Sequence, residues 1–105
     1  MDINKFTFDL MNKIGIYTED VDNVLKSILK IFGDEIEIIY SSNEETICRS
    51  LNEMTFIVIS NTLTFFFMHG YYSKIFVDEK LWYQLDKGTI EKFYSRISNN
   101  NIKII

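Results

Sequence analysis

The stretch MTFIVISNTLTFFFMHGYYSKIFV, residues 54–77, is rich in β-branched and aromatic residues, which favour strands. Asn61-Thr62 and His69-Gly70 interrupt it, and residues of these types are common in turns. The stretch therefore predicts three short antiparallel strands joined by turns, a meander around which the rest of the core is built.

The first two segments of this stretch are apolar without alternation. Residues 56–59 read FIVI and residues 65–67 read FFF. A strand in an antiparallel sheet with one solvated face would alternate apolar and polar side chains instead. The pattern predicts either that both faces of the middle strands are covered, or that one face meets another protein.

Two further strands are predicted upstream of the meander. Residues 35–40 alternate, with Ile36, Ile38 and Tyr40 on one face and two glutamates and Ile39 on the other. Residues 46–51 form a weaker strand after a polar turn. The sheet is therefore expected to contain about five antiparallel strands.

Helical patterns precede and follow these strands. Residues 2–13 carry an apolar stripe at helical spacing, and Gly15 would end that helix. Residues 18–33 give the clearest pattern, with Thr18 as the expected N-cap and Gly33 at the end. Two C-terminal helices are expected, one beginning at Asp78 and ending near Gly88, the other beginning at Thr89.

The resulting fold class is α+β, with an antiparallel meander of about five strands flanked by two N-terminal and two C-terminal helices. Residues 102–105 would be a frayed tail or a short edge strand. A chain of 105 residues leaves too little sequence for a second core, so residues 1–105 are expected to form one domain.

Cysteine usage and the N-terminus indicate where such a chain would work. Cys48 is the only cysteine, which excludes an intrachain disulfide and favours a reducing compartment. The start, MDINK, lacks the basic and apolar blocks of a signal peptide. The apolar residues 54–68 are too few to span a bilayer. A cytoplasmic location is expected, and the absence of Ala and Pro with abundant Ile, Asn and Lys is typical of an AT-rich bacterial or mobile-element gene.

The charge is unevenly distributed. The net charge is −4, but residues 1–53 carry 11 acids and 5 bases, whereas residues 54–105 carry 4 acids and 6 bases. An acidic half repels a phosphate backbone, so nucleic-acid binding is not expected. It is compatible with docking onto a basic protein surface.

The sequence gives little support for a metal site or for a catalytic nucleophile. One cysteine and one histidine do not make a zinc site, and no glycine-rich loop resembles a nucleotide cradle. A dyad of Cys48 and His69 lacks an oxyanion loop around the cysteine. We therefore expect no enzyme activity, no cofactor and no metal.

Two sets of residues are candidates for binding a protein partner. The acidic set surrounds the first predicted strand, and the aromatic set comes from the Tyr- and Trp-rich C-terminal half, residue types that anchor protein interfaces. The candidates are Asp34, Glu35, Glu37, Glu44, Glu45, Tyr71, Tyr72 and Trp82.

These features favour a small acidic inhibitor that binds a protein. An immunity or antitoxin-type protein fits best, with acidic side chains occluding the active site of a basic, nuclease-like toxin. A phage-type inhibitor of a host nuclease would bind through the same attraction between acidic side chains and a basic active site. A homo-oligomeric adaptor or structural domain is a second class of function, and an enzyme or small-ligand protein is a third. The chain is expected to be a monomer or a weak homodimer.

Overall fold

The computed structural model describes residues 13–50, 55–97 and 101–105, which form a six-stranded mixed sheet and four α-helices. The α+β class is thereby confirmed. The elements follow one another as β1 (Lys13–Tyr17), α1 (Val21–Phe32), a 3₁₀ turn (Gly33–Glu35), β2 (Ile36–Ser41), β3 (Glu45–Ser50), β4 (Phe56–Ser60), α2 (Leu63–Met68), β5 (Lys74–Val77), α3 (Glu79–Trp82), α4 (Lys87–Ser95) and β6 (Ile102–Ile104).

The sheet has the order β2-β3-β4-β1-β5-β6. Its first half is antiparallel, because β3 pairs in that sense with both β2 and β4. Its second half is parallel, because β1 runs parallel to β4 and β5, and β5 runs parallel to β6. The predicted all-antiparallel meander is therefore correct for β2, β3 and β4 and wrong for the rest.

The segment FFF lies in a helix and not in a strand. α2 places Leu63, Phe66 and Phe67 at positions i, i+3 and i+4 on one helical face, and the two phenylalanines are buried. Parallel strands cannot be joined by a tight hairpin and need a crossover. Since β4 and β5 both pair in parallel with β1, the chain between them must cross the sheet, and α2 is part of that crossover.

The strand at the centre of the sheet, β1, was not predicted. The helix expected over residues 2–13 falls on residues outside those described, except for Lys13, which begins β1. Gly15 does not end a helix but lies in mid-strand, where the rings of Phe66 and Tyr72 pack directly onto its backbone. A Cβ at position 15 would lie 2.5 Å from Phe66 Cζ and 2.9 Å from Tyr72 Cδ1. Glycine is required there by space.

The central strands are covered on both faces, as the non-alternating pattern indicated. Successive residues of β1, β4 and β5 alternate between two apolar clusters on opposite faces of the sheet. The first cluster packs under α1, and the second packs under α2, α3 and α4. The strand residues of the first cluster are Ile14, Ile16, Cys48, Ile57, Ile59 and Phe76, and those of the second are Tyr17, Val58, Ile75 and Val77.

The remaining helices lie where they were predicted, but their ends differ. α3 ends at Trp82 and not near Gly88, which lies inside α4. α1 begins at Val21 because Asp20, not Thr18, caps it by accepting the Asn23 N–H. α4 begins at Lys87, ahead of the predicted start at Thr89, because Asp86 accepts the Thr89 N–H at 2.7 Å. At the other end of the chain, β6 confirms the edge-strand alternative.

Candidate functional site

Strand β2 forms one end of the sheet and is the most exposed strand among the described residues. Three consecutive large side chains on it face solvent: Ile38, Ile39 and Tyr40 are 42%, 47% and 47% exposed. Single exposed apolar residues are ordinary, but three in a row along the strand that ends the sheet make this edge a candidate for an interaction site. The edge strand also presents one row of backbone N–H and C=O groups away from its neighbour β3.

A β-bulge explains why the three side chains do not share a face. Ile38 pairs with Cys48, which faces α1, whereas Tyr40 pairs with Ile47 across a register shift. The Tyr40 ring stacks on Phe65 of α2, 6.4 Å away between centroids, so it lies on the opposite face from Ile38. The alternation predicted from the sequence, with Ile38 and Tyr40 on the same face, is wrong for this reason.

The exposed region continues across the sheet on the α2 side. Glu37 pairs with Arg49, and Arg49 pairs with Phe56, so the three side chains form a row over β2, β3 and β4. Phe56 is 41% exposed, and Arg49 bonds to Glu37 at 3.3 Å. We call the set formed by Ile38, Ile39 and Tyr40 together with this row the β2 surface.

The predicted acidic residues bracket the β2 surface at both of its ends. Asp34 and Glu35 are exposed in the 3₁₀ turn before β2, and Glu44 is exposed in the turn after it. Glu45 begins β3 and is half-buried, while Glu37 is the second residue of β2. Since a six-residue strand spans about 20 Å, the acids form two groups along an edge and not one cluster.

The predicted aromatic residues lie elsewhere. Tyr71 is exposed just before β5, and Trp82 is partly buried in α3 against Phe93. Tyr72 is 1% exposed and its hydroxyl donates to the Phe66 carbonyl at 2.6 Å, so it belongs to the core. β5 lies four strands from β2, which is about 19 Å at ordinary strand spacing. The structure therefore does not join the aromatic and acidic sets into one surface.

The functional candidates that sequence reasoning missed are the exposed apolar residues of β2 and Phe56. A signal for the first was present in the sequence. After Glu35 and Glu37 alternate with Ile36 and Ile38, the run Ile38-Ile39-Tyr40 breaks the period of two, as an inserted residue in a bulge does. The exposure of Phe56 depends on which helices cover β4, and no local pattern indicates that.

Cys48 and His69 lie on opposite faces of the sheet. Cys48 is fully buried beneath α1, and burial raises the pKa of its thiol to about 11. His69 follows α2 on the other face and packs on Phe65; burial, and next the charge of Lys13, lower the pKa of its imidazole. The two side chains cannot act as a nucleophile and its base. Within the described residues, no three His, Cys, Asp or Glu side chains are grouped to hold a metal ion.

None of the helices in the described ranges has the length and apolarity needed to cross a membrane. Comparisons with protein-family models, with curated proteins and with solved structures found no match to this chain. Functional inference therefore rests on the surface itself.

Proposed function

We propose that the chain is a protein-binding inhibitor and that the β2 surface is where its partner docks. The observation that carries this proposal is the adjacency of three large apolar side chains, each more than two-fifths exposed, on an edge strand bracketed by acids. Interfaces combine an apolar centre with a polar rim in this way.

The backbone of β2 supports a particular docking mode. An edge strand can accept a further strand from a partner, whose main chain then continues the sheet while side chains set specificity. On each side of the added strand lie apolar contacts, Ile38 on one face and Tyr40 on the other. A partner segment of extended backbone would thus be held on both faces as well as along its main chain.

The charges support a basic partner and disfavour a second copy of the same chain. Asp34, Glu35 and Glu44 are exposed, and Asp34 and Glu44 stand at opposite ends of β2. Two copies of this acidic strand would repel each other, and a bulge also hinders edge-to-edge pairing. A basic partner would be attracted, and its association would be accelerated by the same field.

Within this class, the chain is an immunity or antitoxin-type protein that occludes a basic, nuclease-like toxin. Nucleases are basic around the cleft that binds phosphates, and carboxylates spaced along a rigid edge can substitute for phosphates there. A phage-type inhibitor of a host nuclease would bind through the same charges. The homo-oligomeric adaptor is disfavoured by the like charges on the edge.

Affinity capture with matched variants tests the proposal. Ile39→Asp removes an apolar contact from the β2 surface, and Ile31→Asp makes the same change at a residue of equal type and similar exposure, 52%, on α1. Tagged wild type and both variants are used as baits in the native cell, and captured proteins are identified by mass spectrometry. We expect a basic protein that wild type and Ile31→Asp retain and that Ile39→Asp loses.

The captured protein is then purified and its nuclease activity is assayed with and without the chain. Loss of a hot-spot contact weakens binding by more than about tenfold, so Ile39→Asp should need at least about ten times more protein for inhibition. The proposal fails if the three baits capture the same proteins. It also fails if wild type is a stable dimer that Ile39→Asp dissociates, which would favour the adaptor.

A further inference from the structure

A groove of about 370 Å³ lies between α2 and α4, on the face of the sheet opposite α1. Leu63, Phe67 and Met68 of α2 give it an apolar side. The hydroxyl-bearing Thr64 and Thr89 also line it, one from each helix. The volume is in the range of about 300–1,000 Å³ that small-molecule sites occupy.

The polar side of the groove is cationic. Lys92 and Arg96, one helical turn apart, line it from α4 and its C-terminal end, and no acidic residue is among the lining residues. The Lys92 ammonium lies 5.0 Å from the centre of the Phe67 ring, and the Arg96 guanidinium lies 5.9 Å from that of Tyr71. Among the described residues, both cations thus lie against aromatic faces and form no ion pair with a carboxylate.

The Arg96 side chain also has a hydrogen-bond donor to which no described residue offers an acceptor. Its Nε is buried, and among the described residues no acceptor lies within hydrogen-bond distance of it. A buried donor without an acceptor costs free energy, and a rotation of the guanidinium toward an oxygen in the groove would recover it. The planar guanidinium suits carboxylate and phosphate oxygens, which it can bind with two parallel hydrogen bonds.

We infer that this groove binds a small organic anion, with a carboxylate or phosphate head on Arg96 and Lys92 and an apolar body against Phe67 and Leu63. The groove shares no residue with the β2 surface, but α2 contacts both, since Phe65 stacks on Tyr40 while Thr64 of the same helix lines the groove.

Titrations followed by ¹H–¹⁵N NMR test this inference with three probes that share one carbon chain. Hexanoate and hexyl phosphate carry the two candidate heads, and hexan-1-ol carries none. We expect saturable shifts of the Thr64, Phe67, Thr89 and Lys92 amides with at least one anion. The better anion identifies the head, and its affinity should fall as salt is added. Hexan-1-ol should bind at least about tenfold more weakly, since it lacks the charge-assisted hydrogen bonds.

Three variants complete the test. Arg96→Gln and Lys92→Gln should each weaken anion binding, the first by at least about tenfold, whereas Lys30→Gln on the opposite face of the molecule should leave it unchanged. Unchanged dispersion of the amide spectrum verifies the fold of each variant. The inference is overturned if hexan-1-ol binds as well as the anions, if neither anion saturates, or if binding survives both groove substitutions.

Discussion

Gly15 is the position where the smallest substitution should have the largest effect on stability. It lies at the middle of the central strand, and the stacked rings of Phe66 and Tyr72 pack onto its backbone. Gly15→Ala adds one methyl group. That methyl carbon would lie 2.5 Å from Phe66 Cζ and 2.9 Å from Tyr72 Cδ1.

The magnitude follows from how far the rings would have to move. Carbon atoms in contact are normally about 3.5–4.0 Å apart, so the Phe66 ring would have to retreat by about 1 Å. It has no free space, because it is fully buried and in ring contact with Tyr17, Phe67 and Phe93. Overpacking a filled core costs about 1–3 kcal/mol, and two displaced rings place this change near 3 kcal/mol. Tm should then fall by about 12 °C or more.

Urea unfolding followed by circular dichroism measures the free energy of unfolding of wild type, of Gly15→Ala, of a matched control and of a double variant. Gly88→Ala in α4 is the matched control, since its added methyl would meet only Asp86 Oδ1 at 3.6 Å, an ordinary contact. That helical position should gain about 0.5 kcal/mol from alanine. Gly15→Ala combined with Phe66→Leu should be less destabilised than the sum of the single changes, because the smaller side chain relieves the clash.

Two results would refute this reasoning. One is a Gly15→Ala variant whose free energy of unfolding lies within about 0.5 kcal/mol of wild type, which would place the rings away from the strand. The other is strict additivity of Gly15→Ala with Phe66→Leu, since residues in contact should couple by about 0.5–3 kcal/mol. Either outcome would contradict the crossover that brings α2 over β1.

Three further predictions concern a buried hydrogen bond, a buried thiol and the acidic surface residues. Tyr72→Phe should cost about 1–2 kcal/mol in urea unfolding, because it removes the buried hydrogen bond to the Phe66 carbonyl. Burial raises the pKa of Cys48 from 9.0 to about 11, so the folded state keeps its proton longer than the unfolded chain. Stability should therefore be full below about pH 9 and fall as pH approaches 11; Cys48→Ala should flatten this part of the pH profile, and an equal slope in both proteins would contradict the assignment. In stopped-flow mixing with the captured partner, lysine at four acidic positions should slow association and weaken its salt dependence while changing stability by no more than about 1 kcal/mol, and indifference of the association rate would exclude electrostatic docking. Those positions are Glu35, Glu37, Glu44 and Glu45.

The elements that could be predicted from the sequence are those whose signals are local. α1 has an apolar stripe over three turns and polar residues at its start, so periodicity alone suffices. Apolar and polar residues alternate at the start of β2, and a polar turn separates β2 from β3. These signals need no knowledge of what the segment packs against.

α2 and β1 could not be predicted because their sequences satisfy two local patterns at once. Phe65–67 favours a strand by residue type, yet Leu63, Phe66 and Phe67 also have helical spacing over fewer than two turns. Ile14 fits a helical stripe with preceding residues, yet it also shares one face of β1 with Ile16, while Gly15 between them faces the other side. Which pattern is realised depends on the parallel pairing of β1 with β4 and β5, and that pairing is not local.

In the candidate site, too, some features have local sequence signals and others depend on long-range pairing. The exposure of Asp34, Glu35 and Glu44 was implied by charge and turn composition, and they are exposed. The sequence does not indicate the exposure of the apolar part of the β2 surface, because Ile38 and Tyr40 are exposed only if β2 is the terminal strand of the sheet. The order of strands in space is set by long-range pairing.

The topology also accounts for where an interaction surface arises. Parallel strands need crossovers, and in this chain the crossovers place helices over both faces of the central strands. The hairpin of β2 and β3 needs no helix, so it places β2 beyond the strands that the helices bury. An uncovered hairpin with no further role would be expected to turn polar side chains outward on β2. Instead, Ile38, Ile39 and Tyr40 are exposed at its edge, which is a composition that a partner would bury and that solvent alone does not favour.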